Sequence, residues 1–165
     1  MAGGAVLNCI LINEFNTSTQ DLDFFWLGGS WILFIKAIDR FKRKVQSRIL
    51  EEKNIHGILI EFVLSMKENH KLRIQFIFGR ENSNISFILH TFDLDNVQVG
   101  FDGSKVVSVC QIEQLSFLFH LLLKTLGFLQ AVATRSFISY RVTNNNNDAI
   151  YYLDRCLKYN MRGFS

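Results

Sequence analysis

AGGAVLNCILINEFNTSTQDLDFF, residues 2–25, contains two glycines, an apolar periodic segment, a polar segment and two acids separated by one residue. The apolar side chains of Ala5–Phe15 recur at helical spacing, so this segment is predicted to form a helix. Leu22–Leu27 is short, apolar and followed by Gly28-Gly29, which is typical of a buried strand. The stretch therefore predicts a glycine pair, then a helix, then a strand that carries acids at its start.

The residue types in this stretch suit a nucleotide and a metal ion. Gly3 and Gly4 let the backbone approach a phosphate, and the helix that starts at Ala5 presents amide groups and a positive dipole end. Alternate residues of a strand share a face, so Asp21 and Asp23 point the same way. Two such carboxylates can hold Mg²⁺, which prefers oxygen ligands and bridges phosphates. We therefore predict that the segment from Gly3 to Ala5 binds substrate and that the two acids bind metal.

Other interpretations of these residues stay open. An Asp-x-Asp pair is common by chance, and solvated acids at a strand end would give the same letters. A second glycine pair, Gly28-Gly29, also precedes a helix through Ser30, but no Asp-x-Asp strand follows it at short range. Asp39 follows it within a predicted helix and is interpreted as exposed or paired. We therefore favour the first glycine pair as the site.

The arrangement resembles the DNA polymerase β-like nucleotidyltransferase superfamily, in which Gly-Gly precedes a helix and an Asp-x-Asp strand follows. Ala2–Asn8 with Asp21–Phe25 is most similar to the nucleotidyltransferase-like domains of large eukaryotic DNA viruses and of protist ankyrin-repeat proteins. Later segments fit the same group, namely Lys71–Phe78 (KLRIQFIF), Phe92–Asp95 through Phe101–Gly103, and Arg155–Phe164. The resemblance therefore touches most of the chain.

This resemblance implies a magnesium-dependent enzyme that moves a nucleotide from an NTP to a hydroxyl on RNA, protein or a small molecule. In that mechanism the glycines cradle phosphates, while Asp21 and Asp23 bind magnesium and act in catalysis. Asp93 or Asp95 would complete the metal site or orient the acceptor hydroxyl, since they repeat the alternating spacing.

Three departures from the family pattern favour a second hypothesis. The superfamily usually has a serine where Ala5 stands, and it has a third carboxylate where Gln75 stands if KLRIQFIF is the later strand. Met1 stands almost on the glycine motif, so we expect a domain truncated at its N-terminus. The alternative is a noncatalytic nucleotide-binding or protein-interaction module on the same fold, such as a viral accessory or structural protein.

The fold predicted for residues 1–165 is a single nucleotidyltransferase-like domain of the α/β or α+β class, a mixed central sheet flanked by helices. The remaining elements follow from apolar periodicity and from turn residues. The predicted helices are one from Ser30 through Arg48 and beyond, Asn82–Thr91, Ile112–Leu126 ending at Gly127, and one capped by Asp148. The predicted strands are Gly57–Met66 with Lys71–Phe78 as a hairpin, Asp95–Phe101, Lys105–Val109 and an edge strand Ser136–Val142. Asn144–Asn147 is predicted to be a loop.

Composition narrows the class of protein. Apolar residues make up 48% of the chain and charged residues 20%, which excludes global disorder. The net charge of +3 is compatible with a polyanionic partner, and the positive charge is concentrated in Lys36–Arg48. The basic helix around Lys42–Arg48 is interpreted either as a solvated helix face or as a surface that steers a polyanionic acceptor. Ser116–Ala133 is the most apolar stretch, but His120 and Lys124 are costly at a bilayer centre, so no membrane span is predicted. We expect a cytoplasmic protein, in the host cytoplasm or nucleus if viral.

Overall fold

The computed structural model describes residues 1–12, 15, 20–67, 70–79, 84–108, 127–140 and 146–165, with the backbone alone at 146–148. Its helices are α1 (Gly4–Ile10), α2 (Trp31–Val45), α3 (Ile85–His90), α4 (described over 127–134) and α5 (Asn146–Asn160). Its strands are β1 (Asp21–Trp26), β2 (Ile49–Ile55), β3 (Leu59–Ser65), β4 (Lys71–Phe78), β5 (Val99–Phe101) and β6 (Val106–Ser108). This mixed sheet flanked by helices confirms the predicted α+β class.

Four strands form the central sheet in the order β1-β4-β3-β2. β1 is parallel to β4, whereas β4, β3 and β2 are successive antiparallel neighbours. The pairing of β3 with β4 confirms the predicted hairpin, of which residues 68–69 lie outside the described part of the chain. The register places Asp23 beside Gln75 and Gln75 beside Glu61. β5 and β6 form a separate antiparallel pair, joined through the predicted turn at Asp102-Gly103.

One face of the central sheet is apolar and packs against α2. Leu22, Phe62 and Ile74 belong to this face, and they share a cluster with Phe34 and Ile38 of α2. Successive side chains of a strand point to opposite faces, so one residue in two of each strand contributes to this layer. The intervening residues point to the opposite face, which is more polar and forms part of the cleft described below.

A second apolar cluster lies around α1 and α5. Val6 and Leu7 of α1 are buried there with Val99 of β5 and with Tyr159 and Phe164 at the C-terminal end. The N-terminal segment is joined to both sheets, because Ala2 bridges Asp23 of β1 and Gly100 of β5. This bridge fixes the start of α1 beside the polar face of the central sheet.

The prediction of one helix through Arg48 and beyond is wrong after Val45. α2 ends there, Gln46–Arg48 forms a 3-10 turn, and β2 follows over Ile49–Ile55. β2 is an edge strand with mostly exposed side chains, so ILEEKNI lacks the apolar alternation of a half-buried strand. Its pairing with β3 determines its structure. Ser30 occupies the predicted N-cap position of α2, but its side chain makes no capping hydrogen bond.

The first helix is shorter than predicted. α1 ends at Ile10, and Leu11 is extended, whereas the apolar periodicity predicted a helix as far as Phe15. Asn8 Oδ1 accepts a hydrogen bond from the Phe15 backbone N–H at 2.8 Å. A short polar side chain that binds a nearby backbone group in this way competes with helical hydrogen bonding.

Residues 84–101 agree with the prediction at the helix and only partly at the strand. α3 confirms the short helix predicted within Asn82–Thr91. Asp95–Val97 is a 3-10 turn, so only Val99–Phe101 of the predicted strand Asp95–Phe101 is extended. The predicted helix Ile112–Leu126 lies outside the described residues.

The C-terminal part differs from prediction at three places. Gly127 lies within α4 instead of stopping a helix. In place of the edge strand Ser136–Val142, the described residues 136–140 form a single bridge, between Ser139 and Leu94. α5 begins at Asn146, so the backbone of Asp148 lies within the helix and not at its cap.

Candidate functional site

A cleft of about 580 Å³ opens between the polar face of the central sheet, the start of α1, and α5. A volume of this size is typical of small-molecule sites in proteins. From the sheet it is lined by Asp21, Asp23, Phe25, Gln75 and Ile77. From the other elements it is lined by Gly3, Gly4, Gln20, Thr91, Phe92, Asp93, Val97, Tyr151, Asp154, Arg155, Lys158 and Tyr159. The structure thus brings the predicted glycines and the predicted acids to one place.

The glycine segment is held by backbone hydrogen bonds to two strands. The Ala2 N–H donates to the Asp23 carbonyl at 3.0 Å, and the Gly3 N–H donates to the Val99 carbonyl at 2.9 Å. Gly3 has φ 84° and ψ −151°, a combination that essentially only glycine adopts. The Gly3 amide is therefore engaged within the fold, whereas the sequence pattern predicted that it faces a phosphate. Ala5, the third predicted substrate-binding residue, is buried in the core and is not part of the cleft lining.

Gly4 is enclosed by polar side chains. A methyl group on its α-carbon would lie 2.8 Å from Tyr159 Oη, 3.2 Å from Gln20 Nε2 and 3.3 Å from Arg162 Nη1. These three side chains come from the segment before β1 and from the C-terminal end, so they converge on the glycine from distant parts of the sequence. The absence of a side chain at Gly4 thus allows these three polar groups to approach the backbone of the first helix.

Gly4→Ala is expected to lower the free energy of unfolding by about 1–3 kcal/mol, the usual cost of overpacking. Helix propensity alone favours alanine over glycine by up to about 1 kcal/mol, so the sign of the change identifies the cause. Urea unfolding of the wild type, Gly4→Ala, Tyr159→Phe and the double variant measures it. The double variant should recover part of the loss, because it lacks the hydroxyl that the methyl group meets. Strictly additive losses would contradict this explanation.

Asp21 and Asp23 lie on the polar face of β1, as their alternation predicted. Asp23 Oδ2 is 3.8 Å from the position of a β-carbon on Gly3, which places this carboxylate directly beside the glycine segment. Asp23 Oδ1 is buried and has no hydrogen-bond partner within the described part of the chain. Asp21 is 3.9 Å from Arg73 Nε. A buried carboxylate oxygen without a hydrogen-bond donor can coordinate a cation or accept a hydrogen bond from a hydroxyl group.

The environment of Asp23 raises the pKa of its carboxyl group from 3.8 to about 6. Burial is the largest cause, and the neighbouring negative charge of Asp21 adds to it. Lys158 and Arg155 act in the opposite direction and lower the pKa. A carboxylate in these surroundings is one that a bound cation would stabilise.

The contribution of Asp23 to the stability of the protein is expected to fall as the pH rises from about 4 to about 6. In this window the folded state retains the proton on Asp23 that the unfolded state has lost, so raising the pH favours unfolding. The effect amounts to at most about 3 kcal/mol for a shift of this size. Asp23→Asn should therefore stabilise the protein at pH 7.5 and have little effect near pH 4, measured by urea unfolding. An equal effect of Asp23→Asn at both pH values would contradict the assignment.

The two later candidate acids have different positions. Asp93 lines the cleft and forms an ion pair with Arg155 Nη2 at 2.9 Å. Asp95 is almost fully buried outside the cleft lining, and its Oδ1 accepts a hydrogen bond from the Ile138 N–H at 2.8 Å. Asp95 therefore anchors the backbone near α4, and it is Asp93 that shares the cleft with Asp21 and Asp23.

Sequence reasoning missed Glu61, a buried carboxylate next to the cleft. Glu61 is 7% exposed and accepts a hydrogen bond from Gln75 Nε2 at 2.7 Å. Lys53 and Arg73 lie 3.8 Å and 3.7 Å from its carboxylate oxygens. The strand register puts Asp23, Gln75, Glu61 and Lys53 in one row across the sheet. Only the charge at a central position of the otherwise apolar run LIEFVLS signals this acid in the sequence.

The second glycine pair and the basic helix lie away from the cleft. Gly28 and Gly29 have φ values of 72° and 83° in the turn before α2, and neither belongs to the cleft lining. α2 covers the apolar face of the sheet, whereas the cleft is on the polar face. Its basic residues therefore have no direct contact with the candidate site.

Two further features are absent from the described residues. No group of three or more His, Cys, Asp or Glu side chains that could hold a metal ion occurs among them. No helix in the described ranges is both long enough and apolar enough to cross a membrane.

No known protein-family model matches the chain. No solved structure matches it either. An uncharacterized protein of Acanthamoeba polyphaga mimivirus is 30% identical over 64% of this chain and 26% of its own length. The chain thus spans about a quarter of the length of that relative. The comparisons relate this chain to part of a viral protein whose function is not described, so the geometry of the cleft is the basis for a functional assignment.

Proposed function

We propose that this chain is a magnesium-dependent nucleotidyltransferase that moves a nucleotide from an NTP to a hydroxyl acceptor on RNA, protein or a small molecule. The observation that carries the proposal is the shared cleft of Asp21, Asp23, the glycine segment and the cations of α5. These elements are far apart in the sequence, and the fold brings their functional groups to one concave surface. Resemblance to the nucleotidyltransferase superfamily supports the same assignment.

The two ends of the cleft differ in chemistry. β1 runs from Asp21 to Phe25, and Phe25 packs on Phe92 with ring centroids 5.8 Å apart. At the opposite end, before Asp21, lie Gln20 and the cation Lys158. An aromatic end suits a nucleobase, and a cationic end suits a polyphosphate. The carboxylates lie between them, where the reacting phosphate of a nucleotide would be.

The residues present fit a magnesium ion at Asp21 and Asp23. The fit rests on the orphaned Oδ1 of Asp23 and on the burial and the neighbouring Asp21 charge, which disfavour the ionised carboxylate and which a cation would offset. When bound, magnesium would supply Lewis-acid stabilisation of charge on the phosphates. Asp93 is held by Arg155 and would orient the acceptor hydroxyl instead of binding metal. Phe25 and Phe92 would keep water away from one end of the cleft.

Nucleotide binding and transfer test this proposal directly. The full chain is titrated with each NTP in the presence of Mg²⁺, and the unfolding temperature is followed. It is then incubated with NTPs labelled at the α-phosphate and with RNA, protein and small hydroxyl acceptors. We expect a rise in unfolding temperature and labelling that EDTA abolishes. No stabilisation at millimolar NTP together with no labelling of any acceptor would reject the enzyme assignment.

A noncatalytic nucleotide-binding module is the second candidate. The observation that favours it is Gln75, a neutral side chain that lies beside Asp23 on the neighbouring strand. Its amide nitrogen donates to Glu61, so the next carboxylate along this row of the sheet is one strand further away. Such a module would bind an NTP without transferring it, and the same titration and labelling would show binding alone.

Exchanging Glu61 and Gln75 discriminates between the two candidates. The double variant Glu61→Gln/Gln75→Glu keeps the net charge and a hydrogen-bonded pair, but it moves the carboxylate one strand closer to Asp23. We expect the affinity for Mg²⁺, measured by calorimetry, to rise about tenfold, the lower end of effects seen for groups around metal ligands. In an enzyme the transfer rate rises as well, whereas a noncatalytic module gains metal affinity alone. Unchanged Mg²⁺ affinity, with Glu61→Gln alone as control, would remove magnesium from this cleft.

A further inference from the structure

The cations on α5 and just after it are incompletely paired. Arg155, Lys158 and Arg162 recur at intervals of three and four residues, so they lie on one side of the helix and of the turn that follows. Arg155 pairs with Asp93, but within the described residues neither Lys158 nor Arg162 has a carboxylate within 4.0 Å. Burial, and to a smaller extent the nearby charge of Arg162, lower the pKa of Lys158, whereas Asp21 and Asp23 raise it.

The guanidinium of Arg162 is buried beside two aromatic rings and has no carboxylate partner among the described residues. The residue is 8% exposed, and its guanidinium carbon lies 4.5 Å from the ring centroid of Phe15 and 5.2 Å from that of Tyr159. Neither Nη1 nor Nη2 has a hydrogen-bond partner within the described chain. Arginines this buried are normally paired, because an isolated buried charge is costly. An anion in the cleft would offset this charge, and Nη1 lies 3.3 Å from the position of a β-carbon on Gly4. Arg162 itself is not part of the cleft lining, so its charge acts on the cleft without direct contact.

Three polar groups line the cleft in front of this guanidinium. Lys158, Gln20 and Tyr159 belong to the cleft lining, and both Gln20 Nε2 and Tyr159 Oη approach Gly4 closely. All of these groups can donate hydrogen bonds, although Gln20 Nε2 already donates one hydrogen to the Asp21 carbonyl at 3.0 Å and has one hydrogen left. The Gly3 amide cannot add to them, because it already donates to Val99. Side chains from distant parts of the sequence, and not the glycine amides, therefore offer the donors at this end.

We propose that Lys158, with Gln20 and Tyr159, binds the triphosphate group of a nucleotide at the Gly4 end of the cleft, above the unpaired charge of Arg162. The nucleotide as ligand rests on the proposed function, but binding of a triphosphate group requires neither metal nor catalysis. Lys158 contacts the anion directly, and Arg162 strengthens the positive potential from behind. The ligand class is a linear polyphosphate, either free or attached to a nucleoside.

Binding of inorganic tripolyphosphate to the full chain tests this proposal. Calorimetry in EDTA at low ionic strength measures the dissociation constant of the wild type and of Lys158→Gln. Lys44→Gln on α2 is the matched control, because it removes the same charge from an exposed position on the other side of the sheet. We expect Lys158→Gln to weaken binding about tenfold and Lys44→Gln to leave it nearly unchanged. Equal weakening by both variants, or no binding to the wild type, would overturn the proposal.

Further variants and ligands separate this proposal from the enzyme assignment. Arg162→Lys should weaken tripolyphosphate binding less than Lys158→Gln does, with circular dichroism as the check of folding. Asp21→Asn/Asp23→Asn should bind tripolyphosphate in EDTA at least as well as the wild type, because two repelling charges are gone. Polyphosphate binding that depends on Lys158, without any NTP transfer, would reject the enzyme and support this site.

Two more ligands distinguish a triphosphate group from the phosphodiester backbone of a nucleic acid. Tripolyphosphate and an NTP should compete with each other, whereas an oligonucleotide with a 5′-hydroxyl should compete weakly. Strong binding of the oligonucleotide that depends on Lys158, together with weak binding of tripolyphosphate, would show that these residues recognise a phosphodiester backbone. That result would overturn the triphosphate assignment.

Discussion

Asp21→Asn/Asp23→Asn is expected to lower the rate of nucleotide transfer about a thousandfold, since metal stabilisation of transition-state charge is worth several kcal/mol. Both acids lie on the cleft face of β1, and Asp23 Oδ1 has no hydrogen-bond partner in the described structure. Asparagine preserves the shape of each side chain but removes the negative charge. The measurement is the initial rate of label transfer at pH 7.5 with saturating Mg²⁺.

The control for this double variant is Asp39→Asn. Asp39 is exposed on α2, across the sheet from the cleft, and the substitution makes the same chemical change. The control should retain the wild-type rate. Asp23→Asn is expected to stabilise the protein at neutral pH, and urea unfolding of the double variant at pH 7.5 shows whether unfolding contributes to a loss of transfer. Equal rates for the wild type and the double variant would exclude these carboxylates from the mechanism.

The largest effect on stability is expected from Phe34→Ala, about 3–5 kcal/mol in the free energy of unfolding. Phe34 is 1% exposed, and its ring centroid lies 5.2 Å from Trp31, 5.3 Å from Phe78 and 5.9 Å from Trp26. Removing the ring leaves a cavity in the layer between α2 and the sheet, which rigid neighbouring rings can fill only in part. Urea unfolding at constant pH measures the loss.

Leu33→Ala provides the matched comparison in the same helix. Leu33 is 51% exposed, so its truncation should change the free energy of unfolding by less than about 1 kcal/mol. If both variants lost the same amount of stability, α2 would not be packed on the sheet through Phe34. The cleft would then have a different support from the one described.

Elements with a strong local pattern were predicted from the sequence. β1 carries an aromatic run, and β3 and β4 carry β-branched and aromatic residues, so their strand character follows from composition. The burial predicted for Leu22–Leu27 is wrong, because the side chains of β1 are half-buried or exposed. The position of Asp21 and Asp23 on one face of β1 follows from the period of two. β2 was missed because its exposed edge position requires no apolar alternation, and its pairing with β3 is decided by tertiary structure.

The N-terminal half of the candidate site and Asp93 were predicted from the sequence, whereas the approach of α5 to them was not. The glycines and the two acids are close in sequence, so a local motif contains them. The contact of this motif with α5 joins residues more than a hundred positions apart, and no local pattern specifies it. Glu61 escaped notice because a charge within an apolar run gives no indication of its partner, which the strand register supplies through Gln75. Asp95 illustrates the opposite error. Its alternation with Asp93 suggested a shared strand face, but Asp95 lies in a 3-10 turn and not in a strand.

The division of the central sheet into an apolar and a polar face has a consequence for how such a protein changes during evolution. In β1 and β4 the odd-numbered positions 21, 23, 25, 73, 75 and 77 supply the polar face, while the even-numbered positions supply the packing against α2. Substitutions at the odd positions therefore alter the lining of the cleft, and those at the even positions alter the packing against α2. A lineage can change the groups that line the cleft without removing the apolar layer that holds the sheet to α2.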